Sequence, residues 1–251
     1  MKQPIGIIDS GVGGMSVVKT LLEYEPEMGF VYLGDQARCP YGERTKKELL
    51  QFTSEMIYYL IQQYQVSAVV IACNTISATC LNEVRQRFSL PIISIVECGI
   101  AVTREHHLKP LGIIATTKTI ASHIYQQQLR DYLPQAVATP NFATYVETQT
   151  YDLTDISRAL APLQEHNLQA LLLGCTHYPF LATEIAQVLP ECQLLDPAVG
   201  VIQEVQQFLF PTNRQIIVTT GQESQLQQLL AKLLPEYRFS IQQTTLEPYP
   251  S

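Results

Sequence analysis

Two cysteines stand in matching surroundings: Cys73 in A-C-N-T and Cys175 in G-C-T-H-Y-P. Each follows a short apolar run and precedes a helix-like stretch. The thiolate is the reactive form of cysteine, and a free thiol has a pKa of about 8.5. A helix N-terminus favours negative charge and lowers that pKa. Asn74 and Thr75 flank one thiol, and Thr176 and His177 flank the other. One cysteine in such a place reads as structural, whereas two in equivalent places read as chemistry. Cysteine hydrolysis needs one thiol, one base and one orienting group, and redox chemistry a close pair such as C-x-x-C; the sequence displays neither. A duplicated, opposed pair suits racemisation. One base removes the α-proton from one face, its partner returns a proton to the other, and the roles reverse with direction. Asp9 and His177 then serve as groups that tune the protonation of each thiol.

A second segment, D9-S-G-V-G-G14, follows a strand-like run and opens a helix. Its backbone N–H groups and the helix N-terminus can hold an anion. It is not a dinucleotide loop, because Ser16 stands where G-x-G-x-x-G requires glycine. A small carboxylate is the expected ligand. The glycines also suit a tight strand-to-helix turn, which leaves Asp9 and Ser10 unexplained.

The elements that must carry these segments alternate. Apolar runs at 5–8, 30–33, 68–72, 91–95, 111–115, 170–173 and 216–219 are separated by amphipathic stretches at 44–63, 75–88, 118–132, 152–166, 179–189 and 222–234. The alternation predicts an α/β fold with mostly parallel sheets flanked by helices. Ligands of such sheets bind beyond the C-terminal strand ends. The segments beginning at Asp9, Cys73, Ala115 and Cys175 fall there. A weak repeat adds symmetry: P-I-G-I-I-D-S at 4–10 resembles P-L-G-I-I-A-T at 110–116, an offset of 106, and the two cysteines are 102 apart. Two lobes related by a pseudo-two-fold axis are expected, with residues 1–95 and 209–251 in the first, 96–208 in the second, and the active site between them.

Composition narrows the classes. With 46% hydrophobic residues among 251, the chain can bury a core. Sixteen Lys and Arg face 23 Asp and Glu, with no basic run, which disfavours nucleic acid. No stretch approaches the roughly 18 apolar residues of a membrane span. The N-terminus lacks the features of a signal peptide, so a cytoplasmic location is expected. None of the six cysteines forms C-x-x-C or zinc-finger spacing, and a reducing compartment argues against disulfides. Cys80, Cys98 and Cys192 read as small buried hydrophobes. His106-His107 reads as a solvated helix end rather than a metal pair.

Together, D9-S-G-V-G-G-M-S16, G34-D-Q-A-R-C-P-Y-G42, A72-C-N-T75 with S77-A78, and G174-C-T-H-Y-P179 resemble the glutamate racemase family, in its order and over nearly the whole chain. The resemblance implies Cys73 and Cys175 as the catalytic bases, acting on D- and L-glutamate respectively, without pyridoxal or metal. It implies assistance from Asp9, His177 and Glu147. It implies that Ser10, Pro40, Tyr41, Gly42, Asn74, Thr75, Thr116, Thr119 and Thr176 hold the carboxylates and ammonium of the substrate. A homodimer, a bacterial source and D-glutamate supply for peptidoglycan are also implied. The chain departs from the family pattern at Ala115, Lys118, Cys98 and Thr139–Asn141, which bears on substrate choice. The alternative is a racemase of the same superfamily acting on aspartate or a related acid.

Overall fold

The computed structural model describes residues 3–208, 210–211 and 214–250. Two parallel sheets, flanked by helices, form two α/β lobes. The first sheet contains β1 (Ile5–Asp9), β2 (Phe30–Gly34), β3 (Val69–Ile71) and β4 (Ile92–Ser94). The second contains β5 (Leu111–Ala115), β6 (Gln135–Ala138), β7 (Ala170–Gly174) and β8 (Gln193–Leu195). Two late strands, β9 (Gln215–Thr219) and β10 (Ile241–Gln243), extend the first sheet beyond β2. Leu209, where the return to the first lobe is expected to begin, lies outside the described residues.

The helices are α1 (Met15–Tyr24), α2 (Lys46–Tyr64), α3 (Asn74–Arg87), α4 (Ile95–His106), α5 (Thr117–Ala121) and α6 (Ile124–Gln128). They continue with α7 (Phe142–Thr148), α8 (Leu153–Gln164), α9 (Ala182–Val188), α10 (Pro197–Val205) and α11 (Glu223–Leu233).

The strand orders explain the sequence repeat. The first sheet runs β10-β9-β2-β1-β3-β4 and the second β6-β5-β7-β8. Without the two added strands, each lobe has the same order, so β1 corresponds to β5 and β3 to β7. Every strand-to-strand pairing is parallel; in β1–β2, Ile7 lies opposite Tyr32, and in β5–β7, Ile113 lies opposite Leu172. Successive side chains of β1 enter opposite faces, Ile7 toward the core shared with the second lobe and Ile8 toward α2 and α3. Both faces are covered, which is why these runs are continuously apolar. The strands the apolar runs leave out, β6, β8 and β10, are short and partly exposed.

Helix starts follow local rules. Thr45 and Glu48 form a capping box for α2, and Ser94 and Asp152 cap α4 and α8. Two predicted helices differ from expectation. The stretch 118–132 breaks at His123, whose backbone is left-handed, into α5, α6 and a 3-10 turn. Thr119 and Tyr125 are both buried. On one continuous helix, positions six apart would diverge by about 120°, so the break lets both face inward. The stretch 179–189 begins instead as a 3-10 turn, Tyr178–Leu181, and only then becomes α9. Among the described residues, no helix is long and apolar enough to cross a membrane.

Helix α10 packs against α4 and α1. Its cap is Asp196, whose Oδ1 accepts from Ala198 N at 2.9 Å. Burial raises the Asp196 pKa from 3.8 to about 6. The folded state therefore holds a proton that the unfolded state has lost, and stability falls as pH rises through that interval. The full effect is on the order of 3 kcal/mol. Asp196→Asn keeps a capping side chain without a charge to bury. It is expected to stabilise the fold, with a gain at pH 8 exceeding that at pH 5 by about 1 kcal/mol. Urea midpoints at the two pH values check this, and equal shifts would refute it.

Candidate active site

With strand order 2-1-3-4 in each lobe, the crevice of each sheet opens between its first and third strands. Asp9 and Ser10 leave the end of β1, and Cys73, Asn74 and Thr75 leave β3. In the second lobe, Thr116 leaves β5, and Cys175, Thr176 and His177 leave β7. All of these but Asp9 line one small cavity of about 40 Å³, together with Pro40, Tyr41 and Gly42. Both thiols are thus brought to the same space, one from each lobe. Asp9, Thr119 and Glu147 stand behind the lining. Thr176 Oγ1 reaches Asp9 Oδ2 at 3.4 Å, Thr116 Oγ1 reaches Thr119 Oγ1 at 3.0 Å, and His177 Nε2 reaches Glu147 Oε1 at 2.9 Å.

The two thiols have different partners. Cys73 is the residue before α3 and is buried, with Sγ 3.8 Å from Ser10 Oγ. Its pKa lies well above the usual thiol value, raised by burial and then by Asp9, and the helix-start N–H of Ile76 does not reverse this. The expected lowering by the helix N-terminus is therefore outweighed by burial and by Asp9. Cys175 is followed by the 3-10 turn Tyr178–Leu181, which runs directly into α9, rather than by the α-helix expected from residue 179. Its neighbour is His177, with Sγ 3.7 Å from Nδ1. Burial works against the imidazolium, but the bonds to Cys175 and Glu147 win and raise the His177 pKa well above its usual value. Glu147 is lowered in turn: burial opposes this, and His177 and the Val12 N–H outweigh it. Cys175, His177 and Glu147 form a thiol–imidazole–carboxylate chain that sequence spacing alone does not reveal.

The glycine loop holds anions that belong to the protein itself. Gly14 N donates to Asp9 Oδ2 at 2.8 Å, and Val12 N donates to Glu147 Oε1 at 3.0 Å. Asp9, instead of an external carboxylate, occupies the start of α1. Its pKa is nevertheless raised, because burial exceeds the relief from His177 and the loop amides. None of the described glycines has a positive φ, so the loop does not need glycine for backbone conformation. It needs room. A Cβ at Gly13 would lie 2.5 Å from Thr176 Oγ1 and 2.6 Å from His177 Cε1, and one at Gly11 would meet Glu147 Oε1. The second lobe closes onto bare backbone.

The loop carrying Pro40, Tyr41 and Gly42 is fastened by buried charge. The Tyr41 hydroxyl donates to Asp35, Arg38 Nε donates to Asp35 Oδ2 at 2.6 Å, and Arg38 also donates to Glu55. Thr220, just past β9, donates to Asp35 Oδ1 at 2.7 Å. The late strands thus support this loop. Thr75 and Thr116 bridge the lobes through hydroxyls 3.0 Å apart.

The cavity has two further lining residues, Cys39 and Ala143. Cys39 lies within the P-Y-G motif segment, which was a usable signal; Ala143 carries none. The departures Ala115, Lys118, Cys98 and Thr139–Asn141 are absent from the lining. Thr139 is absorbed by the fold through Tyr178, its Oγ1 donating to the phenol oxygen at 2.8 Å. His106 and His107 lie exposed at the end of α4. Among the described residues, no group of three or more His, Cys, Asp and Glu is placed to hold a metal ion.

Comparison with known proteins gives a consistent result. Residues 5–205 match the Asp/Glu/Hydantoin racemase family model. The chain is 38% identical to a glutamate racemase of Latilactobacillus sakei over 229 residues, which is 87% of this chain and 82% of that protein. It superposes on a crystal structure of a glutamate racemase isoform from Bacillus anthracis with a TM-score of 0.87 and 30% identity, covering 98% of each chain. A glutamate racemase from Francisella tularensis, solved in complex with D-glutamate, gives a TM-score of 0.85 at 27% identity over 97% of this chain and 98% of that one. A thiol from each lobe in one cavity, and these matches along the same residues, place the chain in the Asp/Glu/Hydantoin racemase family.

Proposed function

We propose that this amino-acid racemase interconverts L-glutamate and D-glutamate by two-base proton transfer at Cα. The observation that carries the reading is the arrival of two buried thiols, from equivalent strand ends of two similar lobes, in one cavity. In one direction Cys175 takes the α-proton and Cys73 delivers one to the opposite face; in the other the roles exchange. Asp9 serves the Cys73 side, and His177 with Glu147 serves the Cys175 side. Hydroxyls and N–H groups of Ser10, Tyr41, Gly42, Asn74, Thr75, Thr116 and Thr176 hold the charged groups and stabilise the carbanion-like charge, with Pro40 shaping the lining and Thr119 supporting Thr116 from behind. The cavity is on the order of a few waters in size, so the lobes part to admit substrate and close to exclude solvent. The lobes divide at about residues 95 and 208. The protein acts as a cytoplasmic homodimer in a bacterium, and its product feeds peptidoglycan synthesis.

A cysteine hydrolase is the second reading, favoured by the Cys175–His177–Glu147 chain. It leaves the buried Cys73 and its partner Ser10 without a task. Incubation with L- and D-glutamate and L- and D-aspartate in D₂O, followed by NMR and chiral chromatography, decides among the readings. The expected result is racemisation of glutamate with deuterium at Cα. Exchange on aspartate alone would keep the chemistry and change the substrate, and no exchange on any of them would overturn the proposal.

A further inference from the structure

Tyr125, on α6 of the second lobe, is fully buried. Its hydroxyl donates to Asn74 Oδ1 at 2.6 Å, across to the residue after Cys73 in the first lobe. Its ring lies against the strand end that carries the other thiol: a Cβ added to Gly174, next to Cys175, would come within 3.3 Å of Tyr125 Cε2. A Cβ on Gly99 of α4 would come within 3.1 Å of the hydroxyl. Two glycines thus leave the slot that one aromatic ring fills, between the two cysteine-bearing segments. Burial keeps the phenol far above its usual pKa, so the hydroxyl retains the proton it donates. Asn74 lines the cavity, and its Nδ2 is buried with no partner. An unpaired buried donor is costly, so the site is built for something that pairs with it.

We propose that Tyr125 is a positioning residue for the reaction: it pins the Asn74 amide by its oxygen and so presents Nδ2 to a substrate carboxylate. The inference rests on the racemase reading. With Oδ1 committed to Tyr125, Asn74 has no acceptor to offer the ammonium. A bond to a carboxylate that persists from bound substrate to transition state lowers KM and leaves kcat largely alone.

The test uses Tyr125→Phe, Asn74→Ala and the double variant, with KM and kcat for both glutamate enantiomers. Tyr125→Phe keeps the ring in its slot and is expected to raise KM about tenfold with a smaller change in kcat. Because the hydroxyl acts through Asn74, the double variant is expected to be no worse than Asn74→Ala. Unchanged kinetics in Tyr125→Phe, or losses that add in the double variant, would overturn the proposal. If Tyr125→Phe does not fold, Asn74→Asp takes its place. An oxygen facing the carboxylate is expected to raise KM beyond that of Asn74→Ala, and an equal or lower KM refutes the inference. Wild-type exchange on glutamate is measured alongside. Its absence refutes the racemase reading, whereas normal wild-type exchange with an unaltered Tyr125→Phe refutes the role of Tyr125 alone.

Discussion

Cys73→Ser and Cys175→Ser are each expected to lose racemisation in both directions, by about 10²- to 10⁴-fold in kcat/KM. A serine hydroxyl is a far weaker acid than a thiol and a poor base at neutral pH. Both sulfurs line the same cavity. Each has a separate polar partner, Ser10 for Cys73 and His177 for Cys175. By microscopic reversibility, the base in one direction is the acid in the other, so neither replacement can spare one direction. A one-base or hydrolytic site behaves differently: Cys175→Ser fails, while Cys73→Ser stays near the parent. Initial rates from each enantiomer, read by circular dichroism or chiral chromatography, separate the two patterns. Full activity of Cys73→Ser would end the two-base account.

The second large effect is expected from a single methyl group. Gly13→Ala is compatible with the local backbone, since no described glycine has a positive φ. Alanine also restricts the unfolded chain, which favours folding by about 0.4–1 kcal/mol where no strain arises. The added carbon nevertheless lies 2.6 Å from His177 Cε1 and 2.5 Å from Thr176 Oγ1 in the closed molecule. The second lobe has to retreat, taking with it the imidazole bonded to Cys175 and the hydroxyl that reaches Asp9. Misplacement of a catalytic group by about 1 Å can cost on the order of 10²-fold, and a loss of at least that size in kcat/KM is expected here. Urea denaturation run beside the kinetics should show a fold within about 1 kcal/mol of the parent. Parental kcat/KM would mean that lobe closure is not set by this contact.

Both effects trace to features that differ in how far the chain displays them. The apolar runs ending at Ile8, Ala72, Ala115 and Leu173 marked four strand ends to within a residue, and the repeat spacing marked their equivalence; the folded sheets share one strand order. Those are local properties. A strand buried on both faces must be apolar throughout, and polar residues resume where it ends. The weaker edge strand β6 escaped because Gln135–Ala138 is only partly buried and carries no such mark. The helix over 118–132 failed for a different reason: nothing in its composition reports the left-handed turn at His123 that tertiary packing of Thr119 and Tyr125 requires.

By itself, then, the sequence determined the α/β alternation, the strand ends and the placement of a cysteine at one strand end in each lobe. Only the tertiary structure decided what surrounds these two cysteines. Val12 meets Glu147 across 135 positions of chain, Thr176 meets Asp9 across 167, and Tyr125 meets Asn74 across 51. It decided that the glycine loop binds the protein's own carboxylates, that burial raises the Cys73 pKa despite a helix start, and that glycines were kept for space rather than for backbone shape. The physical reason is one of range. Hydrophobic periodicity and capping act over a few residues, while the protonation of the buried Cys73 thiol depends on desolvation and on charge brought up from distant chain positions such as Asp9, and neither exists until the chain packs.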